Sequence, residues 1–435
     1  MPSPTMTRAR SILGGLSLVC AALSACSDYK VTAPPDPVTP PPPQTVQVAY
    51  CGGLEPDWVA FQDGDGPWTR AEPALVGGIV TFQHAFQSNR GGIATKSRGG
   101  LGISILSVLY GGPAELANAG NTRALFCDLA LSKTLLGTVA GIDADEFATI
   151  SGGLQSHTQV TLAAGADFAL KSLPGGPHDL IGTRITGAQG QAVVTRMILR
   201  RDVDLPDSTT LPVFDFAGAE AFAPATATLT LEGIGLESPS IGVQLLSETS
   251  EILFSPVPSA SAAAIRPYSA LPLDRLRAGD LQALFASTAT TTGSRFARVY
   301  FRAPTDRTLA LPAALERPAF SLAEAAPFLR PSARFVPQAD FDRSASVVYQ
   351  QGSNRFVTVT MTAGYAALTG GQYELVVPDL SGTPGLDPAW LLHPGLPLYR
   401  TAGRVGGTLD TGIGIRPHDG ATQRSAFVSD TIPGT

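Results

Sequence analysis

Histidines, cysteines and closely spaced carboxylates are the side chains best able to do chemistry, and in this 435-residue sequence they are few and scattered. The five histidines, His84, His157, His178, His393 and His418, show no i, i+2 or i, i+4 spacing, so no pair is set on one face to hold a metal. His178-Asp179 and His418-Asp419 are histidine–aspartate neighbours, but adjacent residues seldom orient each other as base and support. No Gly-x-Ser-x-Gly elbow presents a serine nucleophile, and no phosphate or dinucleotide loop follows a strand pattern. Two acidic turns remain, Asp63-Gly64-Asp65-Gly66 and Asp410-Thr411-Gly412. The first spaces its oxygens as a calcium loop does, yet Pro67 and Ala74 stand where further oxygen ligands belong, and a hairpin turn is the better reading. The sequence thus offers no catalytic, metal-ligating or cofactor-binding set, and we expect no cofactor.

Asp410-Thr411-Gly412 resembles the catalytic loop of aspartic proteases. Their chemistry needs two carboxylates sharing one proton. No second copy occurs, Ile413 replaces the usual small residue, and the 23 residues after Gly412 do not supply the rest of a lobe. The tripeptide reads as a turn.

The elements that would position any site begin with a leader. Arg8 and Arg10 precede an apolar run, Ile12 to Ala22, which is too short to span a bilayer core of about 30 Å. It ends Leu23-Ser24-Ala25-Cys26, which resembles the lipobox of bacterial lipoproteins. The resemblance implies that 1–25 is a cleaved signal peptide and that Cys26 becomes a diacylated N-terminus held in a lipid bilayer. Ser27, rather than an aspartate, resembles the signal that permits sorting to the outer membrane of a diderm host. Residues 26–45 then run through Pro34, Pro35, Pro37 and Pro40-Pro41-Pro42-Pro43, an extended spacer at ~3.1 Å per residue.

Composition bounds the remainder. Loss of Arg8 and Arg10 with the leader takes the formal charge from −6 to −8, and such a chain has no electrostatic reason to seek nucleic acid. With 44 % apolar and 15 % charged residues it can bury a large core. Cys20 leaves with the leader and Cys26 takes the lipid, so Cys51 and Cys127 are expected to form a disulfide. Closing that loop is worth about 4.5 kcal/mol in the chain-entropy account.

Alternating apolar and polar residues with Gly and Pro turns predict an all-β chain of tandem small β-sandwiches. Residues 46–131 read as a first β domain. Within 132–205, Gly137-Thr138-Val139-Ala140-Gly141, Phe168-Ala169-Leu170 and Leu173-Pro174-Gly175 resemble the transthyretin-like sandwich of carboxypeptidase regulatory-like domains, which implies a structural or binding module. Residues 206–289 read as a β region with a short helix within Pro272 to Ser287, and 290–410 as a C-terminal sandwich with a helical pattern from Leu322 to Leu329. Residues 411–435 read as a flexible tail.

The expected function is a membrane-anchored, non-catalytic binding or structural module of the bacterial cell envelope. Its expected partners are the bilayer and an envelope protein or glycan. The candidate binding patch is Trp58, Asp63, Asp65 and Trp68, where two indoles flank the acidic turn. The competing expectation is an envelope hydrolase whose site assembles only in three dimensions.

Overall fold

Alternation decides where the strands are. In Arg355–Thr362 the side chains of Val357, Val359 and Met361 are buried, while Thr358 and Thr360 between them are half-buried on the other face. The computed structural model describes residues 43–432 apart from 52–54, 77–78, 99–102, 122–132, 153–155, 162–164, 174, 188–192, 236, 257–263, 325 and 410–416. Its regular structure is nearly all strand, in several packed sheets, so the chain is all-β. The described residues belong to one compact unit.

Its backbone is a twelve-stranded sheet that begins with Glu251–Pro256, Ser240–Leu246, Leu281–Ala289 and Gly293–Phe301. It continues through Thr422–Ile432, Leu398–Gly406, Ser344–Gln351 and Arg355–Thr362, then Ser104–Gly111, Gly91–Arg98, Trp58–Asp63 and Thr69–Arg70. Three small sheets each close a core against a stretch of this long one. Gln44–Cys51, Ala74–Val76 and Ile79–Phe86 cover one end, with Val48, Phe82 and Phe86 packed on Val59 and Phe61. Ala319–Glu324, Arg330–Arg334 and Glu374–Val376 cover the next stretch, with Ala333 and Leu375 packed among Val347, Val357 and Val359. Ala225–Glu232, Ile265–Ala270 and Arg307–Ala310 cover the far end over Val243 and Leu284.

Residues 133–215 form a β-sandwich with its own core, between the sheet of Glu146–Gly152, Ser156–Thr161, His178–Thr186 and Val193–Val203 and the sheet around Lys133–Ala140 and Ala166–Leu173. The glycine at 137 has a steric reason. It pairs directly with Phe168, and a Cβ there would lie 2.4 Å from the Phe168 ring. The aromatic covers the bare strand position. Gly141, at φ +69°, makes the turn that follows. The sandwich also contributes Ile181, Ile185 and Met197 to the core under the far end of the long sheet.

Several expectations are corrected. The boundaries at 131 and 290 do not divide sheets, because Ser104–Gly111 pairs in parallel with Arg355–Thr362, with Val108 opposite Val359. The tail is not free: Thr422–Ile432 lies between Gly293–Phe301 and Leu398–Gly406, hydrogen-bonded on both edges. Its small residues Ser425 and Ala426 are buried where two neighbouring strands supply the ladder, so its low apolar content did not signal exposure. The helical pattern from Pro272 resolves into a single 3-10 turn, Leu273–Arg275, and a strand, Leu281–Ala289. Gln282 there is fully buried; its amide accepts from Leu271 N at 2.7 Å and donates to Leu271 O at 3.0 Å, as a strand neighbour would. The pattern from Leu322 lies partly in the strand Ala319–Glu324. Ile79–Phe86 and Gly91–Arg98 follow one another closely but form no hairpin, since they enter different sheets and the turn between them is a corner.

The described helices are short, Pro113–Asn121 and Ala363–Leu368, and none is long and apolar enough to cross a membrane.

Candidate functional site

The acidic turn does more than reverse the chain. Gly64 adopts φ +56° and its N–H donates to Arg90 O at 3.0 Å. Asp63 accepts from Gln87 N at 2.8 Å and Ser88 N at 2.9 Å, which fixes the corner between two sheets. Burial pushes the Asp63 carboxyl up, but these N–H groups outweigh it and hold the pKa below the usual carboxylate range. Asp65 pairs with Arg90 instead. Both aspartates therefore bind the neighbouring turn.

Of the expected patch, the indoles are not on the surface. Trp58 is 2 % exposed and its Nε1–H donates to Pro384 O at 3.0 Å. Trp68 is 9 % exposed, its six-membered ring 2.7 Å from where a Cβ on Gly92 would sit. Large aromatic area between two sheets is worth more buried than wet. Asp65 and Trp68 nevertheless reach the wall of a cleft; Trp58 and Asp63 do not line it.

That cleft, of about 720 Å³, is the candidate site. One wall is the turn Asp65-Gly66-Pro67 with Trp68; the other is Glu374, Val376 and the loop Pro378–Thr383. Its floor carries a row of rings. Trp68 meets Tyr110 edge-on at 6.2 Å between centroids, and Tyr110 meets Tyr365 at 5.2 Å. Burial pushes the Tyr110 hydroxyl far up, with Tyr365 adding to it and Arg330 opposing, so the phenol stays protonated. Burial likewise raises Tyr365 against the pull of Arg90, which lies over its ring at 5.9 Å. Arg330 reaches in beside Val376, and its Nε donates to Val377 O at 3.2 Å. Asp379 accepts from Ser381 Oγ at 2.6 Å and Ser381 N at 3.0 Å; those bonds, with help from Arg330, hold its carboxyl below the usual range.

Tyr365 is positioned from far along the chain. It sits on Ala363–Leu368, whose N-cap is Thr362. Glu115, in the first turn of Pro113–Asn121, accepts from Thr362 Oγ1 at 2.6 Å, Gly364 N at 3.2 Å and Gly112 N at 2.8 Å. It makes the glutamate half of a capping box on its own helix and binds the first turn of the second one too. A Cβ at Gly364 would lie 2.6 Å from the carboxylate, so a larger residue there would displace Glu115.

Chemically the cleft can bind. It presents ring edges, the amides of Gln62 and Gln372, and three carboxylates against one guanidinium. No described histidine lines it. His84 stacks on Phe61 at 5.3 Å; burial lowers its pKa, with Asp63 pulling the other way. His178 is buried, while the carboxylate of its neighbour Asp179 is taken by Arg201 at 2.7 Å. His393 lies edge-on to Phe328, and its N–H and C=O are both bound by the Gln351 amide. His418 is exposed, and the side chain of His157 lies outside the described residues.

No family model matches this chain, and no curated protein matches it. Its site is therefore read from geometry alone.

Cys26, Cys127 and Asp410 lie outside the described residues, as does the side chain of Cys51 at the end of its strand. Sequence reasoning missed Tyr110, Arg330, Tyr365, Glu374 and Asp379. They come from segments more than 200 residues apart, and no spacing connects them.

Proposed function

We propose that the chain is a lipid-anchored, extracytoplasmic protein of the bacterial cell envelope that binds an envelope component through the cleft between Asp65 and Glu374. Leu23-Ser24-Ala25-Cys26 carries the reading, because a basic start, a short apolar run and small residues before a cysteine make an acylation site. The proline-rich residues behind it hold the body off the bilayer, in a diderm host at the outer membrane. The cleft supports recognition: it is mixed in polarity, and the Asp379 carboxyl is held ionised, whereas a general acid needs its pKa raised. A Cys51–Cys127 disulfide belongs to the same proposal, as does a transthyretin-like identity for residues 132–205.

Cys26→Ala tests it. The natural chain should take up labelled palmitate and partition into detergent, and the variant should do neither. A variant still membrane-bound with unchanged processing overturns the anchor. For the binding half, a photoreactive group at Gln372, on the exposed cleft rim, should trap an envelope component that the same group at the exposed Glu248, outside the cleft, does not.

A further inference from the structure

The cleft contains an unfinished sheet edge. Glu374–Val376 is the last strand of its three-stranded sheet and pairs on one side only, with Arg330–Arg334. Phe335 N donates to Tyr373 O and Val377 N to Pro331 O, both at 3.0 Å, and Leu375 lies opposite Ala333. Alternate residues of an antiparallel strand turn their N–H and C=O groups to opposite sides. Tyr373, Leu375 and Val377 therefore face the sheet, and Glu374 and Val376 present theirs outward. No described residue hydrogen-bonds to those outward groups, and Glu374 and Val376 are the two residues of the strand that line the cleft.

Resting on the reading of this cleft as a binding site, we propose that its ligand is an extended, basic segment of a partner protein, which adds as a strand to Glu374–Val376. Backbone pairing along an open edge gives such a ligand its affinity, and side-chain pockets give it selectivity. The charge is complementary: Glu374 and Asp379 line the space beside Asp65, which Arg90 already pairs, and Arg330 is the one cation among the lining residues. Lysine or arginine at alternate positions of the segment would meet those carboxylates, and apolar residues between them would meet Val376, Met361 and the edge of Trp68. An acidic segment would be repelled. An open edge left in water is also a hazard for association between copies, which its recess within a cleft limits.

The test uses the full mature protein in detergent and a short fluorescein-labelled peptide of alternating valine and lysine. Anisotropy should show saturable binding, lost when alternate residues of the peptide are N-methylated or when glutamate replaces lysine. Val376→Pro removes an outward N–H that its own sheet does not use, and should weaken binding about tenfold. Should that variant misfold, Glu374→Lys changes only an exposed side chain and should weaken the same peptide while leaving the circular dichroism unchanged. Equal binding of the N-methylated or glutamate peptide, or no effect of Glu374→Lys in a folded protein, overturns the inference. Oligosaccharides bound in the cleft with no peptide bound would also overturn it, yet leave the cleft a binding site. Loss of the Gln372 cross-link as well would remove that reading too.

Discussion

Glu115 and Thr362 are 247 residues apart in sequence, and a 2.6 Å hydrogen bond joins them. The carboxylate accepts from the Thr362 hydroxyl while Thr362 Oγ1 accepts from Tyr365 N at 3.3 Å, so one acidic group sets the helix that carries a cleft tyrosine. Glu115→Ala leaves the Gly112 and Gly364 N–H groups and a hydroxyl without their acceptor, and should cost about 2 kcal/mol or more in urea unfolding. Tyr365, 8 % exposed, should then become reactive to nitration. Unchanged stability and an unreactive Tyr365 would show that the clip is incidental.

A second buried network joins the sandwich to the long sheet. Arg201 Nη1 donates to Asp179 Oδ2 at 2.7 Å and Nη2 to Asp280 Oδ2 at 2.6 Å. Asp179 also accepts from Asp202 N, and Asp280 from Arg277 N. Both carboxylates are almost fully buried, so Arg201→Met leaves two charges uncompensated and should cost about 3–5 kcal/mol. Adding Asp179→Asn and Asp280→Asn should restore much of that. A triple variant no better than the single one would mean that the loss is packing and not charge.

Acid should act through a few identified carboxyls. Asp430 is held down first by its hydrogen bonds to Arg400, against burial and with Arg317 helping; Asp63 is held down by the corner N–H groups despite burial. Each binds its proton more weakly in the folded chain than in the unfolded one. The stability they add is therefore full above the unfolded value of about 4 and is lost as the pH falls through the lower folded value. Asp63→Ala and Asp430→Asn should lower stability at neutral pH and flatten its fall in acid. A variant curve parallel to that of the natural chain would refute the assignment.

Local order was legible where period and sterics agree. Valines alternating with threonines after Arg355 predict a strand, and the structure has one there; that Gly137 pairs with Phe168 was not legible, because two strands of another sheet lie between them in sequence. What the pattern does not encode is which sheet a strand joins. The parallel pairing of Val108 with Val359 depends on segments some 250 residues apart, and turn spacing divided them into separate domains. Leu281–Ala289 looked helical because its alanines and leucines suit either period, and the buried Gln282 amide decided for the strand. Of the site, the acidic turn led to Asp65 and Trp68. It could not lead to Glu374 or Tyr365, whose places depend on the edge of another sheet and on Glu115.

The position of Thr422–Ile432 has a consequence for how the chain acquires its shape. The strands it separates, Gly293–Phe301 and Leu398–Gly406, do not touch as neighbours and have only this strand in common. Both precede it, so neither half of the long sheet can join the other until residue 432 has emerged from the ribosome. Until then each half presents a raw edge at the seam, and a chain in that state suits a holding chaperone more than spontaneous closure. Assembly is thus timed by one late segment, and a break in synthesis between residues 406 and 422 would leave two half-sheets with nothing to join them.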